Sequence, residues 1–166
     1  MTADERTGNL LGALALTLAD QIGTGSDAAA LITLRNYAEG EPLDLLRRAL
    51  ALSHPGVVRL ADRLERRGLV ERRRSERDGR AVALRLTPAG RRAANEAQAA
   101  RADAVDTALA ALGKDERRAL GSMLERMLAA HTTDSTASLV ICRLCHPDVC
   151  GHPDRCPVTQ AAQGLE

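Results

Sequence analysis

Four cysteines stand close together near the C-terminal end of the sequence, in the pattern C-x2-C-x4-C-x5-C. Thiolates are preferred ligands of Zn²⁺ and of iron–sulfur clusters, and a Cys-x-x-Cys pair can converge on one ion. Paired thiols can instead oxidise and act as a redox switch. The pattern predicts bound Zn²⁺ first, a redox switch second and an iron–sulfur cluster as a minor alternative, at Cys142, Cys145, Cys150 and Cys156. Four thiols fill a tetrahedron, so His146 and His152 are interpreted as bystanders.

A second set of chemically suited residues is the arginine-rich stretch 59–92. It contains 12 Arg against 5 Asp or Glu, whereas residues 1–40 contain 2 basic and 5 acidic residues. The net charge of +1 hides this separation. A concentrated basic patch is typical of proteins that bind a polyanion such as duplex DNA. Tyr37 is the only aromatic residue, which argues against a single-strand binder that stacks bases on rings.

The elements that position these arginines are predicted in stretch 43–87, as helix, turn, helix and β-hairpin. Ser53 is a suitable N-cap for the second helix, Pro55 fits its first turn, and Gly68 fits its C-terminal end. Two strands over 69–74 and 81–86 are joined by the tight-turn signal Asp78-Gly79. This order is the layout of a winged helix-turn-helix, so the fold class is mainly α with about six helices and a two- or three-stranded β-wing.

Helical spacing of apolar residues also predicts helices over 9–22, from Ser26 onward, over 88–112 and over 114–130. Residues 1–8 are predicted to be loose, and 23–25 to break the first helix. We expect one domain over 1–130 with the winged-helix core at 43–87, a linker over 131–138 and a cysteine-rich tail over 139–166.

The run L-S-x-x-x-V-x-R-L-x-D-R-L-E-x-x-G-L-V over 52–70 resembles the multiple-antibiotic-resistance regulator (MarR) family of bacterial winged-helix repressors. The wing, with Asp78 and Arg80, and the L-x-L-T-x-x-G sequence over 84–90 resemble it too, and the resemblance spans roughly 9–130. It implies a homodimer joined by its terminal helices, which reads a palindromic site in duplex DNA. Val58 departs from the family, where Ser or Thr is common, and a thymine methyl is an expected contact instead.

The resemblance implies roles for individual residues. Arg59 would contact base edges, Arg80 would enter the minor groove, and Asp78 would hold Arg80 through a charge-assisted pair. The complete set of expected DNA-binding residues is Ser53, His54, Gly56, Val58, Arg59, Arg63, Arg72, Arg74, Arg77, Asp78 and Arg80. Control by a small-molecule effector or by the cysteines is expected.

Other functions are weighed against this one. A thiol- or metal-dependent oxidoreductase using the cysteine cluster is the alternative, but Cys142-x-x-Cys145 does not follow a strand of a βαβ unit. A zinc-dependent interaction module would leave the basic wing unexplained. No apolar run is long enough to span a membrane and no signal peptide is visible, so a cytoplasmic protein is expected. We expect a regulator and not an enzyme.

Overall fold

The computed structural model describes residues 2–22 and 25–164. Most of these residues are helical, and the one sheet in the described part has two antiparallel strands, which confirms the mainly α, winged-helix prediction. A π-helical segment, Leu34–Ala38, continues the second helix. The elements are α1 Ala3–Ile22, α2 Ser26–Thr33, α3 Leu43–Ala49, α4 His54–Arg66, β1 Val70–Arg74, β2 Val82–Leu86, α5 Pro88–Leu109, α6 Lys114–His131, α7 Ser135–Cys142, α8 Pro147–Cys150 and α9 Pro157–Gln163.

The prediction that residues 1–8 are loose is wrong for the described part of that stretch, because α1 already begins at Ala3. Thr2 Oγ1 accepts from the backbone N–H of Glu5, and the Glu5 carboxylate accepts from that of Thr2. These two bonds form a capping box, which satisfies free N–H groups at a helix start. Residues 23 and 24, where a helix break is predicted, lie outside the described residues.

The hydrophobic core lies in the winged-helix lobe. Leucines and one valine from α2, the π-helical segment, α3, α4 and β2 are nearly inaccessible to solvent. Full burial of each such side chain contributes about 1.5–3 kcal/mol, so this cluster fixes α4 against its neighbours. The cluster includes Leu31, Leu34, Leu46, Val57, Leu60, Leu64 and Leu84.

The wing is an antiparallel hairpin in which Val70 pairs with Leu86 and Arg74 with Val82. By strict alternation Val82, Leu84 and Leu86 share one side of β2, but only Leu84 and Leu86 of these are buried. Val82 is 46% exposed, and Ala83 is fully buried because it forms an isolated bridge with Pro42 on its other side. The third strand of the wing is thus reduced to this single bridge.

Helices α1 and α6 present apolar side chains to solvent, and neither contains a buried residue. The exposed group on α1 comprises Leu10, Leu11, Leu14 and Leu16, and that on α6 comprises Met123, Leu124, Met127 and Leu128. Monomeric soluble proteins rarely leave large contiguous apolar patches uncovered.

The cysteine-rich tail folds as α7, α8 and α9. Asp134 caps α7 by accepting from the backbone N–H groups of Thr136 and Ala137, so this helix begins inside the stretch predicted as a linker. The tail returns to the rest of the chain, with α7 packed on α3 and α9 packed on α6. None of the helices in the described part of the chain has the length and apolar character needed to cross a bilayer.

Candidate nucleic-acid interface and cysteine cluster

Helix α4 begins at the predicted N-cap. The Ser53 hydroxyl accepts from the backbone N–H of Gly56 at 3.2 Å, which satisfies one free donor of the first turn. A Cβ on Gly56 would lie 3.1 Å from Ser53 Oγ, so the absent side chain leaves room for the cap. His54, the first residue of α4, is exposed at this end of the helix. Ser53 and Gly56 therefore position the helix start, and His54 faces outward from it.

The end of α4 fixes the direction of the wing. Gly68 adopts φ +68°, a left-handed conformation that favours glycine, and turns the chain into β1. Gly90 of α5 packs directly against this turn, since a Cβ there would lie 1.9 Å from the Leu69 carbonyl oxygen. Thr87 is the N-cap of α5: it accepts from the Gly90 N–H and donates to the Gly68 carbonyl. The wing is thereby fixed to both α4 and α5.

Arg63, an expected DNA contact, binds a carboxylate of the same chain. Its Nε and Nη2 donate to Asp27 Oδ1 of α2 at 2.8 and 2.5 Å, and Arg67 Nη1 donates to Oδ2 at 2.6 Å. These bonds, led by that from Arg63, lower the pKa of the Asp27 carboxyl despite its partial burial. Asp27 therefore ties α4 to α2, and no local pattern in the sequence predicts this contact.

Arg72, also an expected DNA contact, joins the wing to α4. Its guanidinium donates to Asp62 Oδ1 at 2.6 Å and also to the Glu65 carboxylate. The pair with Asp62 is the main reason that the pKa of Arg72 is raised. In this conformation Arg72 orients the wing relative to α4, and its own contact with DNA stays a prediction.

Four other arginines of the helix and wing are exposed, and within the described chain no carboxylate lies in ion-pair distance of them. They are Arg59 and Arg66 on α4, Arg74 at the end of β1, and Arg80 near the wing tip. Arg77, by contrast, has Nη1 3.7 Å from Glu41 Oε2, yet its side chain is 80% exposed. Exposed guanidinium groups without carboxylate partners are the groups most available to phosphates.

The wing tip differs from the expectation in one contact. Asp78 Oδ1 accepts a hydrogen bond from the backbone N–H of Arg80 at 3.0 Å. In the described part of the chain no ion pair joins the two side chains, so the expected charge-assisted pair is replaced by a bond that shapes the turn. Short Asp side chains favour such bonds to the backbone two residues ahead. The Arg80 guanidinium consequently remains exposed.

Helix α4 and the wing share one largely apolar depression. His54 and Val58 line it from α4, and Arg72 and Val82 line it from the wing. Val58 is half-buried there, which places its methyl groups beside the wing. A depression of this composition is consistent with the expected contact to a thymine methyl.

The four cysteines are free thiols. A hydrogen bond between the thiols of Cys142 and Cys145, together with the nearby charges of Arg101 and Arg143, lowers the pKa of Cys145 to about 6, and the same bond raises that of Cys142. Burial raises the pKa of the Cys150 thiol, whereas the pKa of Cys156 is lowered, despite its burial, by hydrogen bonds from Thr159. All four lie close enough to Tyr37 to add to the effect of burial in raising its pKa.

The geometry does not assemble a metal site. Among the residues that the structure describes, no three His, Cys, Asp or Glu side chains are grouped as ligands of one ion. Cys142, Cys145 and Cys150 are half-buried and Cys156 is buried. Zn²⁺ and an iron–sulfur cluster at these cysteines stay predictions.

Sequence reasoning missed the surface on which the tail docks. Asn36 Nδ2 donates to the Cys145 carbonyl at 2.7 Å, and Thr33 Oγ1 lies 2.9 Å from the Arg143 carbonyl. The Tyr37 ring meets His152 edge-on, with centroids 6.0 Å apart. The polar residues Thr33 and Asn36 within an apolar helix pattern were the available signal, since buried polar groups require partners.

A small cavity lies between the tail and the winged-helix lobe. Its lining includes Thr33, Tyr37, Leu45, Cys142 and His152, and its volume is about 90 Å³. Drug-sized ligands occupy pockets of about 300–1,000 Å³, so this cavity is too small for them. A small-molecule effector stays a prediction.

Comparison with known proteins agrees with this architecture. The sequence profile of the MarR family matches residues 44–81, which extend from α3 through the wing tip. A probable transcriptional regulator from Pseudomonas aeruginosa is 30% identical, with a TM-score of 0.55, and the match covers 76% of this chain and 99% of that one. No curated protein sequence matches.

Two further solved structures share the fold. The PcaV transcriptional regulator from Streptomyces coelicolor is 23% identical, with a TM-score of 0.56 and coverage of 78% of this chain and 97% of that one. The S. aureus MepR–DNA complex is 18% identical, with a TM-score of 0.56 and coverage of 78% and 98%. The relatives are transcriptional regulators and not enzymes, which argues against the oxidoreductase alternative.

Proposed function

Because this chain belongs to the MarR family of transcriptional regulators, we propose that it is a homodimeric repressor that binds a palindromic operator in duplex DNA. The observation that carries the proposal is the surface formed by α4 and the wing. His54 and Val58 on α4 and Arg72 and Val82 on the wing line one depression. Arg74 and Arg80 on the wing are exposed. A helix fits the major groove, and an arginine beside it can enter the minor groove.

The contacts of the basic residues divide them into two groups. Arg63 and Arg72 are held by carboxylates and position α4 and the wing. Arg59, Arg74 and Arg80 are exposed and available to DNA. In our proposal Arg59 reads a base edge, because a bidentate arginine–guanine pair gives about 1–3 kcal/mol of discrimination. Arg74 and Arg80 supply contacts with phosphates and the minor groove.

The exposed apolar faces of α1 and α6 support the dimer. The side chain of Leu14 on α1 is 47% exposed and that of Leu124 on α6 is 41% exposed, and neither helix contains a buried residue. A second copy of the chain would cover these faces in a symmetric, self-complementary interface. Two recognition helices related by a two-fold axis would then match two half-sites of a palindrome.

The proposal is tested by measuring how purified protein binds the DNA upstream of its own gene. Fluorescence anisotropy at several salt concentrations gives the affinity. Arg80→Ala should weaken binding several-fold across all sequences and reduce the salt dependence by about one phosphate contact. Arg59→Ala should weaken binding and relax the preference at one base pair. Arg118→Ala is the matched control, because that arginine is exposed on α6, away from α4 and the wing.

Equal affinity of the Arg80→Ala and Arg118→Ala variants would refute the assignment of the wing. Absence of any salt-dependent binding to the upstream DNA would refute the proposed function as a whole, since phosphate contacts make affinity fall with salt.

A further inference from the structure

The chain between the π-helical segment and α3, residues 39–42, runs beside the second strand of the wing. The Gly40 N–H donates to the Leu84 carbonyl at 3.1 Å, and Pro42 forms its bridge with Ala83. These backbone contacts attach the wing to the lobe at a place distinct from its junctions with α4 and α5.

Glu39, the first residue of this connection, brings a carboxylate to the base of the wing. Its Oε1 accepts from the backbone N–H of Leu86, the last residue of β2, at 3.0 Å. Arg91 Nη2, near the start of α5, donates to the same oxygen at 2.7 Å and to Oε2 at 2.8 Å. The Glu39 side chain is only 22% exposed. One carboxylate thus joins the end of the π-helical segment, the end of the wing and the start of α5.

The bond to Leu86 fixes the end of the strand. Leu86 is buried, and a buried backbone N–H almost always has a hydrogen-bond partner. The Glu39 carboxylate is that partner, and the ion pair with Arg91 holds the carboxylate in place. Arg72 attaches the wing to α4 in a separate contact, through Asp62. Together the two attachments set the angle at which the wing leaves the lobe.

The length of the wing makes this angle important. Six residues separate Leu86 at the base from Arg80 near the tip. Because a strand rises about 3.4 Å per residue, the tip lies roughly 20 Å from the base, and a rotation of about 10° at the base would move it by about 3–4 Å. Hydrogen bonds span about 2.7–3.2 Å between heavy atoms, so a shift of this size is enough to break a contact made by the Arg80 side chain.

We propose that Glu39 is a positioning residue for DNA binding, whose carboxylate sets the angle of the wing so that Arg80 reaches the minor groove. Glu39 acts through the wing, because both of its carboxylate oxygens accept hydrogen bonds from groups of its own chain. The inference rests on the proposed function, since its readouts are contacts with the operator.

Glu39→Gln in the full-length protein is the first test. The amide keeps the size of the side chain, but its nitrogen cannot accept from Arg91 or Leu86. Operator affinity should fall by about five-fold, the lower end of the effect of deleting a groove-contacting arginine. Glu71→Gln is the matched control, because it removes the same charge from the wing while Glu71 is 55% exposed and pairs only with the nearby Arg73 within the described chain. Equal affinity of the two variants would overturn the inference.

A double substitution tests whether Glu39 acts through Arg80. When the wing arginine is already absent, its position no longer matters, so Glu39→Gln should weaken binding little further in the Arg80→Ala protein. Residues that act independently give additive losses. Additive losses for this pair would contradict the proposed route.

Methylation of the bound operator by dimethyl sulfate separates positioning from general damage to the lobe. The reagent modifies guanine N7 in the major groove and adenine N3 in the minor groove, two atoms that the grooves expose separately. With Glu39→Gln, adenine N3 under the wing should lose its protection, whereas guanine N7 under α4 should stay protected. A parallel loss of protection in both grooves would show that Glu39 supports the whole lobe, and would overturn the positioning role.

Arg91→Gln is a second variant, because it removes the same ion pair from its more exposed end, where the side chain is 54% exposed. It should reproduce the selective loss of adenine N3 protection even if Glu39→Gln does not fold, which urea unfolding would reveal. Unchanged protection in a folded Arg91→Gln protein would count against the inference.

The outcomes distinguish the two proposals. If the natural sequence shows no salt-dependent binding to the operator, the proposed function fails. If it binds, and Arg80→Ala weakens binding while Glu39→Gln behaves like Glu71→Gln, only the role of Glu39 is overturned and the proposed function stands.

Discussion

Replacement of Asp27 by Asn tests whether the link between α2 and α4 stabilises the lobe. The carboxylate accepts three hydrogen bonds from the guanidinium groups of Arg63 and Arg67. A hydrogen bond to a charged group contributes about 1.5–3 kcal/mol, whereas an exposed ion pair contributes about 0–1 kcal/mol. The Asp27 side chain is 22% exposed and that of Arg63 is 41% exposed. We therefore expect the Asn variant to lose about 1–2 kcal/mol of unfolding free energy, between these two limits.

The loss should depend on pH in a defined direction. The bond from Arg63, followed by the charges of Arg63 and Arg67, lowers the pKa of the folded Asp27 carboxyl. A depressed folded pKa contributes stability above the unfolded value of about 3.9, and that contribution is lost as the pH falls through the folded pKa. The two proteins should therefore differ fully at pH 7 and converge towards pH 2.

Urea unfolding followed by circular dichroism, at equal protein concentrations and several pH values, measures this difference. Asp103→Asn on the exposed face of α5 is the control and should stay within about 0.5 kcal/mol of the natural sequence. A difference for Asp27→Asn that persists undiminished at low pH would show that packing, not the ion pair, holds α2 to α4. No difference at pH 7 would refute the link itself.

Two further substitutions test the support of the wing and the dimer. Gly90→Ala should destabilise the protein by at least about 1–3 kcal/mol in urea unfolding, because its Cβ would overlap the Leu69 carbonyl; a neutral result would mean that the turn after α4 moves freely. Leu124→Glu should place a charge in the proposed dimer interface and halve the mass measured by light scattering, whereas Glu125→Gln, its exposed neighbour, should leave the mass unchanged. An unaltered mass for Leu124→Glu would exclude this face of α6 from the interface.

Local signals were sufficient to predict the helix-turn-helix and wing. Ser53 and Thr87 cap helices by bonds to residues three positions ahead, so their roles depend only on neighbouring sequence. The hairpin turn at Asp78-Gly79 is equally local. The burial of Ala83 could not be predicted locally, because its bridge partner Pro42 is a residue about 40 positions away.

In the candidate site, too, some features have local signals in the sequence and others depend on residues far apart in the chain. Exposed arginines such as Arg59 and Arg80 were identified by composition and by the resemblance of the motif. The engagement of Arg63 by Asp27 depends on residues 36 positions apart, and the bond between Thr33 and the tail spans 110 positions. No periodic or local sequence pattern predicts either contact. Bound metal at the four cysteines stays a prediction, and only the packed structure reveals the surface that the tail contacts.

The separation of 110 positions between Thr33 and Arg143 has a consequence for the order of folding. Domains generally fold as units while the chain is synthesised from its N-terminus, and the core residues of the winged-helix lobe, up to Ala94, are all made well before the cysteines. The tail therefore docks on a surface that is already complete. A nascent chain paused before Cys142 would already contain every residue of the lobe's core, so the core of the lobe does not depend on the tail.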